Sequence, residues 1–333
     1  MRRLPAEFEP QSFIQIIFPH PNSDWSAYLE ESEANFIEII NTITTFEDCL
    51  VICHDLDYVK SKLKPSPNLH CVYAPTNDTW ARDCSAITVY EDEKAKLLDF
   101  EFTAWGGKFE ARLDNALTKN LSFAYDAPID KIDFILEGGA IESNGKGTLL
   151  TTKACLFNPN RNTLDQETSL KVLQEKLGVT KILCLENGYL EGDDTDSHID
   201  TLARFCDANT IAYLQCEDKE DAHYEALKKM EDELKTFKDQ DNKPFKLVPL
   251  PFTKAKFDEQ KRLPATYANF LILNKAVLVP VYNDENDEIA LSRLQKLFSL
   301  REIIPINCST LIRQHGSLHC VSMQFPSKVN LQS

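Results

Sequence analysis

Ser317-Leu-His319-Cys320-Val-Ser-Met-Gln-Phe325, almost at the end of the chain, reads as a strand with no sequential neighbour to pair with. The segment that can partner it is the first apolar strand, Phe13-Ile-Gln-Ile-Ile-Phe18. Pairing the two joins the chain ends, and the rest of the sequence fits a closed ring. Working back from the terminus, strand, strand, helix, strand recurs. Tyr267–Leu273 and Ala276–Tyr282 form a hairpin about Asn274-Lys275, followed by a helix at Asn286–Phe298 and a strand at Glu302–Ile306. His198–Phe205 and Thr210–Gln215 turn about Asp207-Ala-Asn209, ahead of a charged helix at Lys219–Asp239 and a strand at Lys246–Leu250. Ala140–Glu142 and Thr148–Thr152 turn at Asn144-Gly145, a strong hairpin signal, before a helix at Leu164–Leu177 stopped by Gly178 and a strand at Lys181–Leu185. Ser85–Tyr90, Lys96–Phe102, a helix at Asp114–Tyr125 and Ile132–Leu136 make a further unit. The closing pair, with a helix at Trp25–Phe46 and a strand at Leu50–Cys53, makes the fifth. A short helix at Asp55–Leu63 and a strand at Leu69–Ala74 follow it. Five such repeats imply a radial or stacked array, and a ring whose last blade joins both termini is one closed domain over residues 1–333. An ordinary doubly wound α/β sheet is the alternative.

The 333 residues carry a formal net charge of −16. That surface repels phosphate backbones, so no nucleic-acid partner is expected, and it attracts small cations. No apolar run is long enough to span a membrane, and Met1–Pro10 has no apolar core behind Arg2 and Arg3, so neither membrane nor signal peptide is expected. Ten cysteines form no C-x-x-C pair. Cys53, Cys71, Cys155, Cys184 and Cys206 sit in apolar runs and read as small buried hydrophobes, in keeping with a reducing cytoplasm. Helix 219–239 is read as a solvated face or as the contact of a homodimer.

Three acidic motifs fall at matching places in the repeats: Trp80-Ala-Arg82-Asp83, Glu137-Gly138-Gly139 and Asp194-Thr-Asp196-Ser-His198-Ile-Asp200. With Cys320, each stands at or just before the first strand of a hairpin, so a ring points them all at its axis. A guanidinium is planar, always charged and donates in a fork; two carboxylates such as Asp83 and Asp200 neutralise and clamp it. His198 follows Glu191, Asp193, Asp194 and Asp196, and nearby carboxylates stabilise an imidazolium suited to acid and then base work. Cys320 must be a thiolate to attack, and a bound guanidinium can make it one. In a strand His319 points away from the thiol, which leaves His198 as the better partner. Each motif has a plainer reading: a turn or cap aspartate, a tight Gly-Gly turn, a solvated acidic loop, a buried cysteine. The loop at residues 193–196 lacks the glycine and distal glutamate of a calcium loop, so no metal is expected.

In this order, and with Leu4-Pro-Ala-Glu-Phe-Glu-Pro10, Phe18-Pro-His20, Tyr267-Ala-Asn-Phe-Leu-Ile272 and Val279-Pro280, the motifs cover most of the chain. The set resembles the agmatine deiminases and the bacterial peptidylarginine-deiminase type, within the guanidino-modifying superfamily. The resemblance implies an α/β fold, a five-bladed ββαβ propeller (pentein) with pseudo-fivefold symmetry. It implies hydrolysis of agmatine to N-carbamoylputrescine and ammonia without a cofactor. It implies Cys320 as nucleophile, His198 as acid and base, Glu137 as its orienting or proton-sharing partner, and Asp83 and Asp200 on the guanidinium, with Asp194 and Trp80 in the pocket. Free or peptide-terminal arginine, an amidino transfer, and a silent guanidine binder are the rival readings. The chain departs from the family at Cys84-Ser85-Ala86, Ala140, Ser197, Gln314–Leu318 and the N-terminal strand, which is tryptophan-rich in the family.

Overall fold

Ser322–Pro326 pairs antiparallel with Gln11–Ile17, and that pair closes the ring. The computed structural model describes residues 1–332; the last residue of the expected domain lies outside them. Gln11–Ile17 then runs parallel to Asp48–Cys53, which is parallel to Leu69–Tyr73. A parallel neighbour needs a crossover, and helix Leu29–Phe46 supplies it, burying Phe36, Ile39, Ile40 and Ile43. Each of those side chains contributes roughly 1.5–3 kcal/mol on burial.

The same rule builds the other four blades. Ile87–Glu91 and Lys94–Glu101 are antiparallel, and the second is parallel to Ile129–Ile135. Ile141–Ser143, Thr148–Thr152 and Lys181–Leu185 repeat the pattern, as do Ala203–Asp207, Thr210–Gln215 and Lys246–Pro251. Leu271–Ile272, Ala276–Val281 and Glu302–Asn307 complete it. The fold is thus the five-bladed propeller the repeats imply, not a doubly wound sheet. Arg2–Arg3 adds a short antiparallel edge to the second blade. Outer helices follow expectation at Gln166–Leu177, with Asp165 accepting from Thr168 N–H and Gly178 closing the end at φ +68°, and at Asp287–Leu297.

Several expected elements are shorter. The expected helix at 114–125 is broken into the turns Asp114–Ala116, Leu117–Asn120 and Ser122–Ala124. Asp114 instead accepts the backbone N–H of Asn77 at 2.6 Å, and Asn115 that of Phe102 at 2.9 Å, so these side chains serve the neighbouring loops. The acidic helix is confined to Tyr224–Thr236, because Asp218 and Asp221 bond the N–H groups of Glu220 and His223 and hold the preceding stretch in turns.

The strands expected at 198–205, 267–273 and 317–325 begin only at Ala203, Leu271 and Ser322. The residues ahead of them curl instead. Ile199–Thr201 is a 3₁₀ turn, and the 317–322 segment is a turn closed by Val321 N–H to Ser317 O and Ser322 N–H to His319 O. The alternation argument for His319 therefore does not apply, since Cys320 is not in a strand.

Candidate active site

The curls carry the functional side chains to the axis. Asp83 lies four residues ahead of its blade's first strand, Glu137 four, Asp200 three, Asn269 two and Cys320 two. Every blade thus contributes one polar side chain. Asn269 is the one the sequence reading missed, although the positional rule singles it out. Its Oδ1 accepts the N–H of His319 at 2.9 Å, the N–H of Cys320 at 3.3 Å and the thiol at 3.4 Å, so it pins the turn that carries Cys320. Arg82 N–H donates to Cys320 O at 3.1 Å, tying the second blade to the same turn.

Cys320 Sγ lies 3.8 Å from Asp200 Oδ2, which His319 Nδ1 also meets at 2.7 Å. His319 Nε2 contacts Glu7 at 2.9 Å. His319 is thus no partner of the thiol, as expected, but because it grips Asp200 rather than because it faces away. Asp200 Oδ1 is buried without a partner. His198 Nδ1 lies 3.7 Å from Asp83 Oδ1, and Nε2 3.9 Å from Glu137 Oε2. Both ring nitrogens lack hydrogen-bond partners and are buried. Among the described residues no hydrogen bond joins His198 to Cys320. Asp83 is fixed by Gly139 N–H to Oδ1 at 2.9 Å and by Trp105 Nε1–H to Oδ2 at 3.0 Å. Gly139 is required here by space: a Cβ would stand 2.6 Å from His198 Nδ1, 2.9 Å from Asp83 Oδ1 and 3.1 Å from Asp200 Oδ2.

Burial raises the Cys320 thiol well above its ordinary range, and Asp200 and Asp83 push it further. Burial would lower His198, but Asp83, Cys155 and Glu137 outweigh it and hold the imidazole well above its usual value. The acidic loop that precedes His198 does none of this. Asp193 caps its own loop at the N–H groups of Thr195 and Ser197. Asp196 pairs with Lys108 and Arg161, and Glu191 lies 3.6 Å from Arg262. The upward push on His198 thus comes from carboxylates of two other blades. Glu137 is raised by burial, with His198 and Arg161 opposing; Arg161 Nε stands 2.7 Å from its Oε1. Arg82 turns away from Asp83 to Glu7 at 3.0 Å, so no local Arg-Asp pair forms.

Trp80 and Asp194 line a narrow cleft with Trp105, Phe109, Asp24, Asp78, Glu110, Asp114 and Gln314. The cleft stops short of Cys320, which is only 6 % exposed. Trp105 spans the two, with its ring in the cleft and its N–H on Asp83. Gly316 lies flat on Trp80, where a Cβ would fall 2.1 Å from Cζ3. Burial raises Asp194 to about 6. Burial, then Asp24 and Asp114, raises Asp78 to about 7, and burial raises Asp114 to about 7. Among the described residues no lysine or arginine lines this cleft, but Lys108 stands at its edge and donates to Asp194 O. Two departures from the family pattern sit on left-handed backbone, Ser197 at φ +68° and His315 at +65°, where glycine is easiest. Asp193 holds the first through its N–H, and His315 Nδ1 meets Gly192 O at 2.7 Å.

Residues 3–326 match the family described as Porphyromonas-type peptidyl-arginine deiminase. The chain belongs to that family. It superposes with a TM-score of 0.94 on an agmatine deiminase of C. jejuni solved as a cysteine-to-serine variant with substrate bound, at 42% identity over 100% of this chain and 98% of that one. An agmatine deiminase of Enterococcus faecalis gives a TM-score of 0.91 at 28% identity, over 98% and 96%. A Porphyromonas gingivalis structure named, provisionally, an arginine deiminase gives 0.96 at 46%, over 99% and 100%.

Proposed function

We propose that this chain is an agmatine deiminase. The observation that carries the reading is the convergence of Cys320, His198, Asp83, Asp200 and Glu137, delivered from four blades to one buried axis around unpartnered acceptors. Asp83 and Asp200 clamp the guanidinium, and its charge beside Sγ lowers the thiol pKa so that the thiol proton leaves to solvent. The Cys320 thiolate then attacks the central carbon. The C–N bond breaks, and His198 gives its proton to the departing ammonia, leaving an amidino-thioether. Water attacks that carbon while His198 takes its proton. The C–S bond breaks, the thiolate is restored, and the ureido product leaves. Asp83 and Asp200 hold the charge at each stage, and Glu137 keeps His198 protonated until it is needed.

The far end of the substrate selects among guanidino compounds. Asp78, Asp114 and Asp194, with the indoles of Trp80 and Trp105, suit an ammonium through charge and cation–π contact. An arginine carboxylate would meet Asp78, Asp114 and Asp194 there, against Lys108 and His315 beside Asp194. The ring in this reading works as one catalytic domain, and ten free cysteines accord with a cytoplasmic setting.

Ammonia release should be compared for agmatine, free arginine and a peptide ending in arginine. Agmatine is expected to give the highest kcat/KM, and Cys320→Ser to release none from any. A preference for either arginine substrate contradicts the assignment of the cleft, and turnover by Cys320→Ser contradicts the chemistry.

A further inference from the structure

Glu137 and His198 have a third neighbour that the deimination chemistry does not use. Cys155 offers its sulfur within 4.8 Å of a ligand atom of each, and all three residues are buried. The placement is built into the fold. Thr152 ends the second strand of its blade and caps the following turn, accepting from Cys155 N–H at 3.3 Å. The same hydroxyl donates to Ser197 O at 2.7 Å, one residue before His198. Strand end, thiol and imidazole are thereby clamped together.

We propose that Glu137, Cys155 and His198 form an inhibitory site for a thiophilic divalent cation, Zn²⁺ above all. Thiolate, imidazole and carboxylate are the donor types zinc prefers, and three protein ligands leave its fourth position open. Neither ring nitrogen of His198 has a hydrogen-bond partner. Asp83 adds a negative charge 3.7 Å from the imidazole. Arg161 opposes a cation from Glu137 Oε1, but it also donates to Asp196 Oδ2 at 2.9 Å and Thr195 O at 3.1 Å. Those partners can hold Arg161 while Oε2, the oxygen nearer His198, takes the metal. The other buried cluster of this kind, Glu7, Glu142 and His319, is already neutralised by Arg82 and Arg204 and offers nothing comparable.

Binding replaces two protons, one from the His198 imidazolium and one from the Cys155 thiol, which are released to solvent. Both groups are held above their ordinary values, His198 by the acidic neighbours named above and Cys155 chiefly by burial. Glu137, Asp83 and Arg161 face them. Zinc at this point removes the acid and base of the reaction, so turnover stops without any contact to Cys320. The sequence foresaw no metal; this one would be a brake, not a cofactor.

The test uses untagged full-length protein, freed of metal by chelator and dialysis. With Co²⁺ as the optical probe, wild type and Cys320→Ser are expected to show a thiolate-to-cobalt band at one metal per chain, and Cys155→Ser and Cys155→Ala are expected to lack it. With ZnCl₂, agmatine turnover should fall and recover on adding chelator. Losing even a group behind a metal ligand costs about 10–100-fold in affinity, so losing the ligand itself in Cys155→Ser should raise the half-inhibitory zinc concentration by about 100-fold or more. A band that survives in both Cys155 variants, a band lost in Cys320→Ser, or no band in wild type overturns the proposal. The cobalt reading needs no turnover, so its failure is distinct from failure of the deiminase assignment.

Discussion

Cys320 rests as a thiol, because burial and two carboxylates oppose its ionisation. Activation then depends on what is bound. A cationic alkylator such as 2-chloroacetamidine should label Cys320 at neutral pH about tenfold or more faster than neutral iodoacetamide, since an adjacent cation lowers a thiol pKa by at least about one unit. The iodoacetamide rate should climb through the alkaline range. Equal rates for the two reagents, with iodoacetamide flat in pH, would show a thiolate already present. At this scale the sequence was informative for residue type and silent about partners. Cys320, His198, Asp83, Asp200 and Glu137 are legible because each stands at the same point of a repeat. That Glu137 meets Arg161, or that His319 bridges Asp200 and Glu7, depends on blades far apart in the chain. Asn269 stands at the same position of its repeat, but an amide without charge gives the sequence no chemical signal there.

The element most removed from the chemistry, the N-terminal stretch before Gln11, reaches it through Glu7. That carboxylate is 12 % exposed on its side chain and contacts Arg82, Arg204 and His319. Burial would raise it, but Arg82, His319 and Arg204 together hold it well below the usual range. A depressed carboxyl stabilises the fold fully above its unfolded value, about 4.3, and that contribution is lost as pH falls through the folded value. Glu7→Gln should therefore lower neutral-pH stability by roughly 3–5 kcal/mol in denaturant titrations, with the difference from wild type shrinking below about pH 4. A difference independent of pH would deny Glu7 its charge.

The acidic cleft gives the opposite sign. Asp78 and Asp114, raised to about 7, are largely protonated below that pH and ionised above it, so KM for agmatine should fall between about pH 6 and 8. Asp78→Asn should raise KM by about tenfold, the value of one charged hydrogen bond, with kcat changed less. Flat KM in wild type would remove the ammonium from this cleft. Periodicity could not reveal the cleft, because Asp114 stands where a helix was read and Trp105 in what looked like a plain loop. Side-chain bonds to neighbouring backbone decided both.

Across the whole molecule, the turn signals and apolar runs count five units but leave a doubly wound sheet open, and it is the pairing of the last strand with the first that closes the ring. What they could not show was where each strand stops. At 198, 267 and 317 the apolar pattern runs on into the curls, since buried turns and buried strands look alike in sequence. Those curls hold the candidate site. The ring therefore has a simple division of labour: strands and outer helices hold five turns in register, and the turns carry the side chains proposed to do the chemistry. Its central claim is that one thiol, Cys320, carries the amidino group of agmatine. Rapid acid quench during turnover, followed by peptide mass spectrometry, tests this directly. An adduct of agmatine less ammonia is expected on the Cys320 peptide, formed and lost at rates matching turnover and absent in Cys320→Ser. The same adduct on another residue, or turnover with no adduct in Cys320→Ser, would contradict it.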